Sequence, residues 1–248
     1  MVGAEPMSHV GGGGSGVLVL HGFTGNPSSL RRQALALAAA GHHVELPRLP
    51  GHGTTVDDML TTSWSDWSKA ALEAYDRLAA RADRVVVMGL SMGGTLALWT
   101  ALERPDAIGL VCVNPATRPQ PAAVLEMVED LLESGQEVVP GIGSDIADPD
   151  AVEIAYHGTP LRPLLSFVGD GLVPITDRYG ELRMPLLLYT SHDDHVVDPG
   201  DSEHLAATHG GDVEHVWLER SYHVATQDFD RDLITAGTVA FVERVAGS

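Results

Sequence analysis

Short apolar runs recur along the chain, separated by stretches in which apolar residues return every three or four positions. VLVL (17–20), HVEL (43–46), RVVVMG (84–89), IGLVCVN (108–114), PLLLYT (185–190) and VEHVWL (213–218) each predict a strand, being too short for helices and mostly bounded by glycine or turn residues. Runs apolar on both faces belong in a parallel sheet covered by helices. Between them, NPSSLRRQALALAAAG offers Asn26 or Ser28 as an N-cap and Gly41 where a left-handed C-cap sits. SWSDWSKAALEAYDRLAARA (63–82) places Trp67, Ala71, Ala74 and Leu78 on one stripe, and DRDLITAGTVAFVERVA (230–246) makes a last helix. Strands and helices alternating at this spacing imply a doubly wound sheet with right-handed crossovers.

The alternation stops between Pro115 and Pro185. Residues 115–184 carry eight prolines, several glycines and two helical patches, AAVLEMVEDLLE (122–133) and PDAVEIAYH (149–157), with no strand pattern. So long a structureless loop is improbable, which favours a helical insertion over the ligand-binding edge of the sheet. The expected organisation is a core of residues 1–114 and 185–248 interrupted by a cap at 115–184. Gly11–Gly16 reads as a flexible or turn-rich entry.

Charge narrows the partners. With 34 acidic and 15 basic residues the formal charge is -19, which disfavours nucleic acid and repels an anionic membrane at long range. A neutral small molecule is the easier substrate. Cys112, the single cysteine, lies inside an apolar run and reads as a buried small hydrophobe; it excludes an intramolecular disulfide or a multi-cysteine metal site. No run approaches the roughly 20 apolar residues of a membrane span, and the first residues lack the basic-then-apolar pattern of a signal peptide, so a cytoplasmic location is expected.

Within VVVMGLSMGGTLALWTAL, an apolar strand runs into Gly89-Leu90-Ser91-Met92-Gly93 and a helix follows at once. This is the context of a nucleophile elbow, in which a strained turn projects the Ser91 hydroxyl from the sheet and the glycines remove side chains that would collide. The turn after the first long strand, HGFTG, could bring the Phe23 N–H beside the Met92 N–H as two donors to one oxyanion. His21 in that turn carries no proton-transfer role.

In such an architecture the order along the chain is nucleophile, acid, base, with the base between the last strand and the last helix. SYHVAT places His223 there. SHDDHVVDP (191–199) leaves the carboxyl end of the PLLLYT strand, where an acid would accept a hydrogen bond from His223 Nδ1–H. Its residues alone leave Asp193, Asp194 and Asp198 open. His192 and His195 also admit a metal site, although no second cluster completes the shell.

HGFTG, PRLPGHGT, GLSMGGTLAL, DDHVVDPG and SYHVAT together resemble the bacterial monoacylglycerol lipases and thermostable carboxylesterases of the α/β-hydrolase superfamily, from about Val17 to Val245. The resemblance implies an α/β-hydrolase fold, a mostly parallel central sheet flanked by helices with a helical cap insertion. It implies Ser91, Asp194 and His223 as catalytic triad, Phe23 and Met92 as oxyanion hole, and Glu153 and Ile142 as contacts to glycerol, although spacing alone reads Glu153 as a solvated helix face. Ester hydrolysis through an acyl-enzyme follows, with no metal or organic cofactor, and a cap able to touch a lipid surface transiently. A broad carboxylesterase is the alternative, and a ligand-binding relative without turnover the remote one. Leu164, Leu165 and Phe167 could face an acyl chain, Trp64 and Trp67 pack in the core, and His52 braces its loop. The glycine-rich start, in place of the early strands of larger relatives, predicts a sheet cut short at that edge.

Overall fold

The computed structural model describes residues 1–141 and 143–247. In chain order the strands and helices begin with β1 (Met7–His9), β2 (Ser15–Leu20), α1 (Arg31–Ala39), β3 (His43–Leu46), α2 (Val56–Leu60), α3 (Trp64–Ala79), β4 (Arg84–Leu90), α4 (Met92–Glu103) and β5 (Gly109–Val113). The segment that follows holds α5 (Ala122–Glu133), β6 (Val138–Pro140), β7 (Gly158–Pro160) and α6 (Leu161–Ser166). The chain then completes β8 (Leu186–Ser191), α7 (Gly200–Thr208), β9 (Val213–Leu218) and α8 (Arg231–Gly247).

Seven strands form one sheet in the order β1-β3-β2-β4-β5-β8-β9, parallel throughout except for β1, which runs antiparallel to β3. The six strands expected from the apolar runs are present. The chain steps from β2 outward to β3 and then returns to β4 on the other side of β2, so the strand order reverses between β2 and β4. Loops at their carboxyl ends diverge there and leave the crevice in which open α/β sheets bind ligands.

Alternation within each strand divides the core in two. Leu18, Leu20, Val85 and Val87 face the stripe of Trp67, Ala71, Ala74 and Leu78 on α3 and the apolar surface of α4. Val17, Val19, Val86 and Met88 face the opposite way, against Ala34 and Leu37 of α1 and Ile234, Phe241 and Val242 of α8. Helices on both faces explain why these strands are apolar throughout. A capping box between Ser63 and Asp66 starts α3, and Asn26 caps the short 3-10 turn ahead of α1 by accepting the Ser28 N–H at 3.0 Å. Cys112 is fully buried, and the low polarity around it pushes the thiol pKa up to about 12.

Three expectations need correction. The glycine-rich start does not cut the sheet short, because β1 adds an edge strand whose Ser8 hydroxyl donates to the buried Glu45 of β3 at 2.6 Å. Residues 138–140 and 158–160 form an antiparallel pair in a region that lacked a strand pattern. Residues 149–157 are not helical. Their backbone bonds go elsewhere: Tyr156 N–H donates to Thr24 O at 3.1 Å and Asn26 Nδ2 donates to Ile154 O, so the segment lies stretched across the loop after β2. Those tertiary partners override a helical pattern of only nine residues.

Candidate active site

β4 ends at Leu90 and α4 begins at Met92, which leaves Ser91 alone in the turn with φ 55° and ψ −123°. A serine takes this backbone region only under constraint. Here the constraint is a set of backbone bonds: Ser91 N–H donates to Val113 O at 3.0 Å, and Ser91 O accepts Gly94 N–H at 2.8 Å and Thr95 N–H at 3.2 Å. A side chain on Gly89 would run into Gly93 O, and one on Gly93 into Leu20 O, so only glycine lets the elbow close against β2. The Ser91 side chain makes no capping bond to α4, and the residue lines a pocket of about 340 Å³.

His223 and Phe23 reach the same pocket. The Phe23 turn is close to the serine, since a Cβ added to the preceding Gly22 would lie 3.9 Å from Ser91 Oγ. Met92 opens α4, where first-turn N–H groups have no acceptor within the helix and are oriented to receive negative charge.

His223 sits on the loop between β9 and α8, 8% exposed, and its Nδ1–H donates to Asp194 Oδ2 at 2.8 Å; the Asp194 side chain is 2% exposed. The other carboxylate oxygen, Asp194 Oδ1, accepts Val196 N–H at 2.8 Å and Val197 N–H at 2.9 Å, which fixes the acid from behind. The structure therefore brings Asp194 to the histidine. Asp193 is exposed, and Asp198 instead caps Gly200 N–H at 2.8 Å and pairs with Arg118 at 3.4 Å. His192 stacks on Trp217 with ring centroids 4.5 Å apart. Among the described residues no group of three or more His, Cys, Asp or Glu side chains converges as a metal site.

His21 is buried with both ring nitrogens occupied: Nδ1–H donates to Gly22 O at 3.0 Å and Nε2 accepts Leu49 N–H at 3.1 Å. Burial, reinforced by neighbouring His52, draws its pKa down to about 3, so it stays neutral, and the lone pair of that neutral ring is already taken by Leu49 N–H rather than free for proton transfer. His52 braces its loop by donating Nδ1–H to Pro50 O at 3.0 Å and packing edge-on against Trp67.

The pocket has two kinds of wall. Leu164, Phe167, Val168 and Leu172 supply an apolar one; Phe167 stacks on Phe23 at 6.2 Å and on Trp64 at 5.9 Å. Leu164 and Phe167 were legible as candidates, whereas Leu165 does not line the pocket. Thr24, Asp145 and Glu153 supply the polar wall. Glu153 is half-buried rather than on a solvated helix face, because its segment is stretched over the crevice. Burial raises its pKa; His223 opposes that shift and Asp145 reinforces it. Ile142, the other expected glycerol contact, lies outside the described residues.

Sequence reasoning assigned no role to two contributors. Asn114, at φ 44° after β5, donates through Nδ2 to His223 O at 2.8 Å and accepts Ser191 N–H at 2.8 Å, joining the loops that carry the histidine and the carboxylate. Asp145 accepts the N–H groups of His195 and His223. Their partners are so distant along the chain that no local pattern marks them.

Comparison with known proteins gives a consistent set of likenesses. A profile of the Hydrolase_4 family, described as serine aminopeptidase S33, matches residues 15–230. The chain is 39% identical over 249 residues to the thermostable monoacylglycerol lipase of Bacillus sp. (strain H-257), covering 99% of this chain and 96% of that one. It is 25% identical over 237 residues to a carboxylesterase of Bacillus subtilis (strain 168), covering 94% of each. A solved structure described under the metagenome-derived lipolytic enzymes LipS and LipT superposes with a TM-score of 0.92 at 38% identity, over 98% of this chain and 99% of that one.

Proposed function

Because the chain belongs to the Hydrolase_4 (serine aminopeptidase S33) family and has the α/β-hydrolase fold, we propose that it is a serine hydrolase cleaving monoacylglycerols to fatty acid and glycerol. The observation that carries this reading is the strained Ser91 on the wall of a pocket shared with His223, whose Nδ1 is held by the buried Asp194 at 2.8 Å.

In this reading His223 takes the Ser91 proton as Oγ attacks the ester carbonyl. The tetrahedral oxyanion is held by the Phe23 and Met92 N–H groups, each donor of this type contributing roughly 3–4 kcal/mol. His223 returns the proton to the glycerol oxygen as the ester bond breaks. Water, deprotonated by the same histidine, then releases the fatty acid. Asp194 keeps the imidazole in the tautomer with Nδ1–H and offsets the positive charge it acquires. Residues 115–184 act as the cap that forms the pocket: its apolar wall takes the acyl chain, and Glu153 accepts hydrogen bonds donated by the glycerol hydroxyls. Val124, Met127, Val152 and Val173 are exposed on this segment, which suits transient contact with a lipid surface. No helix among the described residues is long and apolar enough to cross a membrane.

Ser91→Ala tests the reading. The variant should fold normally and lose most ester turnover; near-normal turnover would sink the proposal. The likeness to a carboxylesterase supports a second reading, with broad activity on short and medium-chain esters. A monoacylglycerol and an ethyl ester of equal acyl length separate the two. Glu153→Ala should raise KM for the monoacylglycerol alone, and an equal effect on both esters favours the carboxylesterase reading. An aminoacyl amide belongs in the same panel, since the family description names an aminopeptidase.

A further inference from the structure

Asp145 lies between β6 and β7, in the segment laid over the carboxyl end of the sheet. Its side chain is 11% exposed. Asp145 Oδ2 accepts two backbone hydrogen bonds at once, from His195 N–H at 3.1 Å and His223 N–H at 3.0 Å, while Oδ1 accepts one from His195 Nδ1–H at 2.8 Å. The Asp145 carbonyl also accepts Val224 N–H at 3.1 Å. His195 follows Asp194, and His223 is the histidine that Asp194 holds. One carboxylate from the insertion thus ties the two loops together next to the acid and at the base.

We propose that Asp145 is a positioning residue for ester hydrolysis: it sets the His223 backbone against the Asp194 loop, so that the acid–base pair is aligned only while the insertion is seated on the sheet edge. This rests on the assignment of Ser91, His223 and Asp194 as the triad.

The neighbouring anchors separate placement from folding. Asn114 holds His223 O, and the buried Asp228 accepts Tyr222 N–H at 2.9 Å, so the loop remains tethered without Asp145. Asp228 also accepts Ala147 N–H at 2.7 Å and Asp148 N–H at 3.0 Å, which keeps the insertion docked. What Asp145 alone fixes is the N–H of His223 itself. Its contact with the His195 ring is the lesser part, because that ring is 58% exposed and exposed ion pairs contribute little. A displacement of about 1 Å at a reacting group costs about 100-fold in rate, and the proposal expects a shift of that size at His223 when the bridge is lost.

The chemistry also distinguishes charge from geometry. In Asp145→Asn the amide oxygen can still accept both backbone N–H groups, with Nδ2 turned toward a His195 ring nitrogen that accepts in its other tautomer. Asp145→Ala removes every side-chain bond. Asp145→Ser is too short to span both N–H groups and serves as a second disrupting variant if the alanine variant does not fold.

The test is steady-state hydrolysis of a 4-nitrophenyl ester, with active sites titrated by a serine-reactive phosphonate so that kcat is expressed per labelled serine. A merely structural residue would change the number of labelled sites, not the kcat of each. Asp145→Ala and Asp145→Ser should lose about 100-fold in kcat per labelled site with little change in KM. Asp145→Asn and His195→Ala should keep most of it. Wild-type kcat per labelled site in Asp145→Ala overturns the proposal, as does a loss confined to KM, or an equal loss in His195→Ala. If the phosphonate fails to label wild-type Ser91, the triad assignment itself fails; normal labelling with an unaffected Asp145→Ala fails only this inference.

Discussion

Replacing Ser91 by glycine should stabilise the protein relative to replacing it by alanine. Both substitutions remove Oγ, and neither removes a helix cap, because the Ser91 side chain makes no capping bond to α4. Both retain the backbone bonds to Val113, Gly94 and Thr95 that hold the turn. They differ in what the backbone at φ 55°, ψ −123° costs. For a residue with a Cβ that cost is about 1–3 kcal/mol, and for glycine it largely vanishes. Against this, glycine loosens the unfolded chain, which costs about 0.4–1 kcal/mol. The difference leaves about 1 kcal/mol in favour of glycine, or a Tm about 2–4 °C higher in a chain of this size. Scanning calorimetry of the two variants measures it, with ester turnover lost in both. If Ser91→Gly melts at or below Ser91→Ala, the elbow stores no strain and the argument from its backbone angles is wrong.

Asp194→Asn should cost roughly 10⁴-fold in kcat by favouring the wrong imidazole tautomer, while Asp193→Asn leaves turnover near wild type; the reverse ranking would move the acid to its neighbour. Gly93→Ala should destabilise by about 1–3 kcal/mol and depress turnover, because the new methyl meets Leu20 O and the elbow must retreat from β2; unchanged melting and activity would contradict that close approach. His21 and His52 are held neutral by burial, at about 3 and about 4 against an ordinary 6.5, so the unfolded chain binds more protons through this interval. Stability should therefore fall as pH drops from 6.5 toward 4, by up to about 1.4 kcal/mol per histidine per pH unit. His52→Gln should flatten the slope of unfolding free energy against pH, and an unchanged slope refutes the assignment.

The sheet was legible because its central strands β2, β4, β5 and β8 are covered on both sides and leave no polar alternation to blur them, while the short apolar runs of β3 and β9 stand out between turn residues and helices. The elbow was legible because steric demand puts glycine at 89 and 93. By contrast, β1 reads Met-Ser-His, half-exposed and short, and its existence depends on pairing with β3 rather than on its own pattern. The stretch at 149–157 has helical spacing, but bonds to Thr24 and Asn26 outweigh it. At the site, residue types and chain order reach His223 and the loop at 191–199. Singling out Asp194 needed a family likeness, because Asp193 and Asp194 are chemically identical and differ only in which one the turn folds inward. Asp145 shows the same limit: its bonds to His195 and His223 join residues 50 and 78 positions away.

The segment from Pro115 to Met184 joins β5 and β8, strands that lie side by side and must be linked by a crossover whatever its length. Closing a flexible connection costs only about 0.6 kcal/mol more for each doubling of its length. The sheet therefore exerts little thermodynamic pressure on what this connection contains. On the proposed reading of this segment as the cap that forms the pocket, substrate range can diversify by exchange of the whole segment while the sheet keeps its fold. On the inference drawn above, one condition travels with every graft: it must return a carboxylate, or an amide, to the point where Asp145 meets the two loops beneath it.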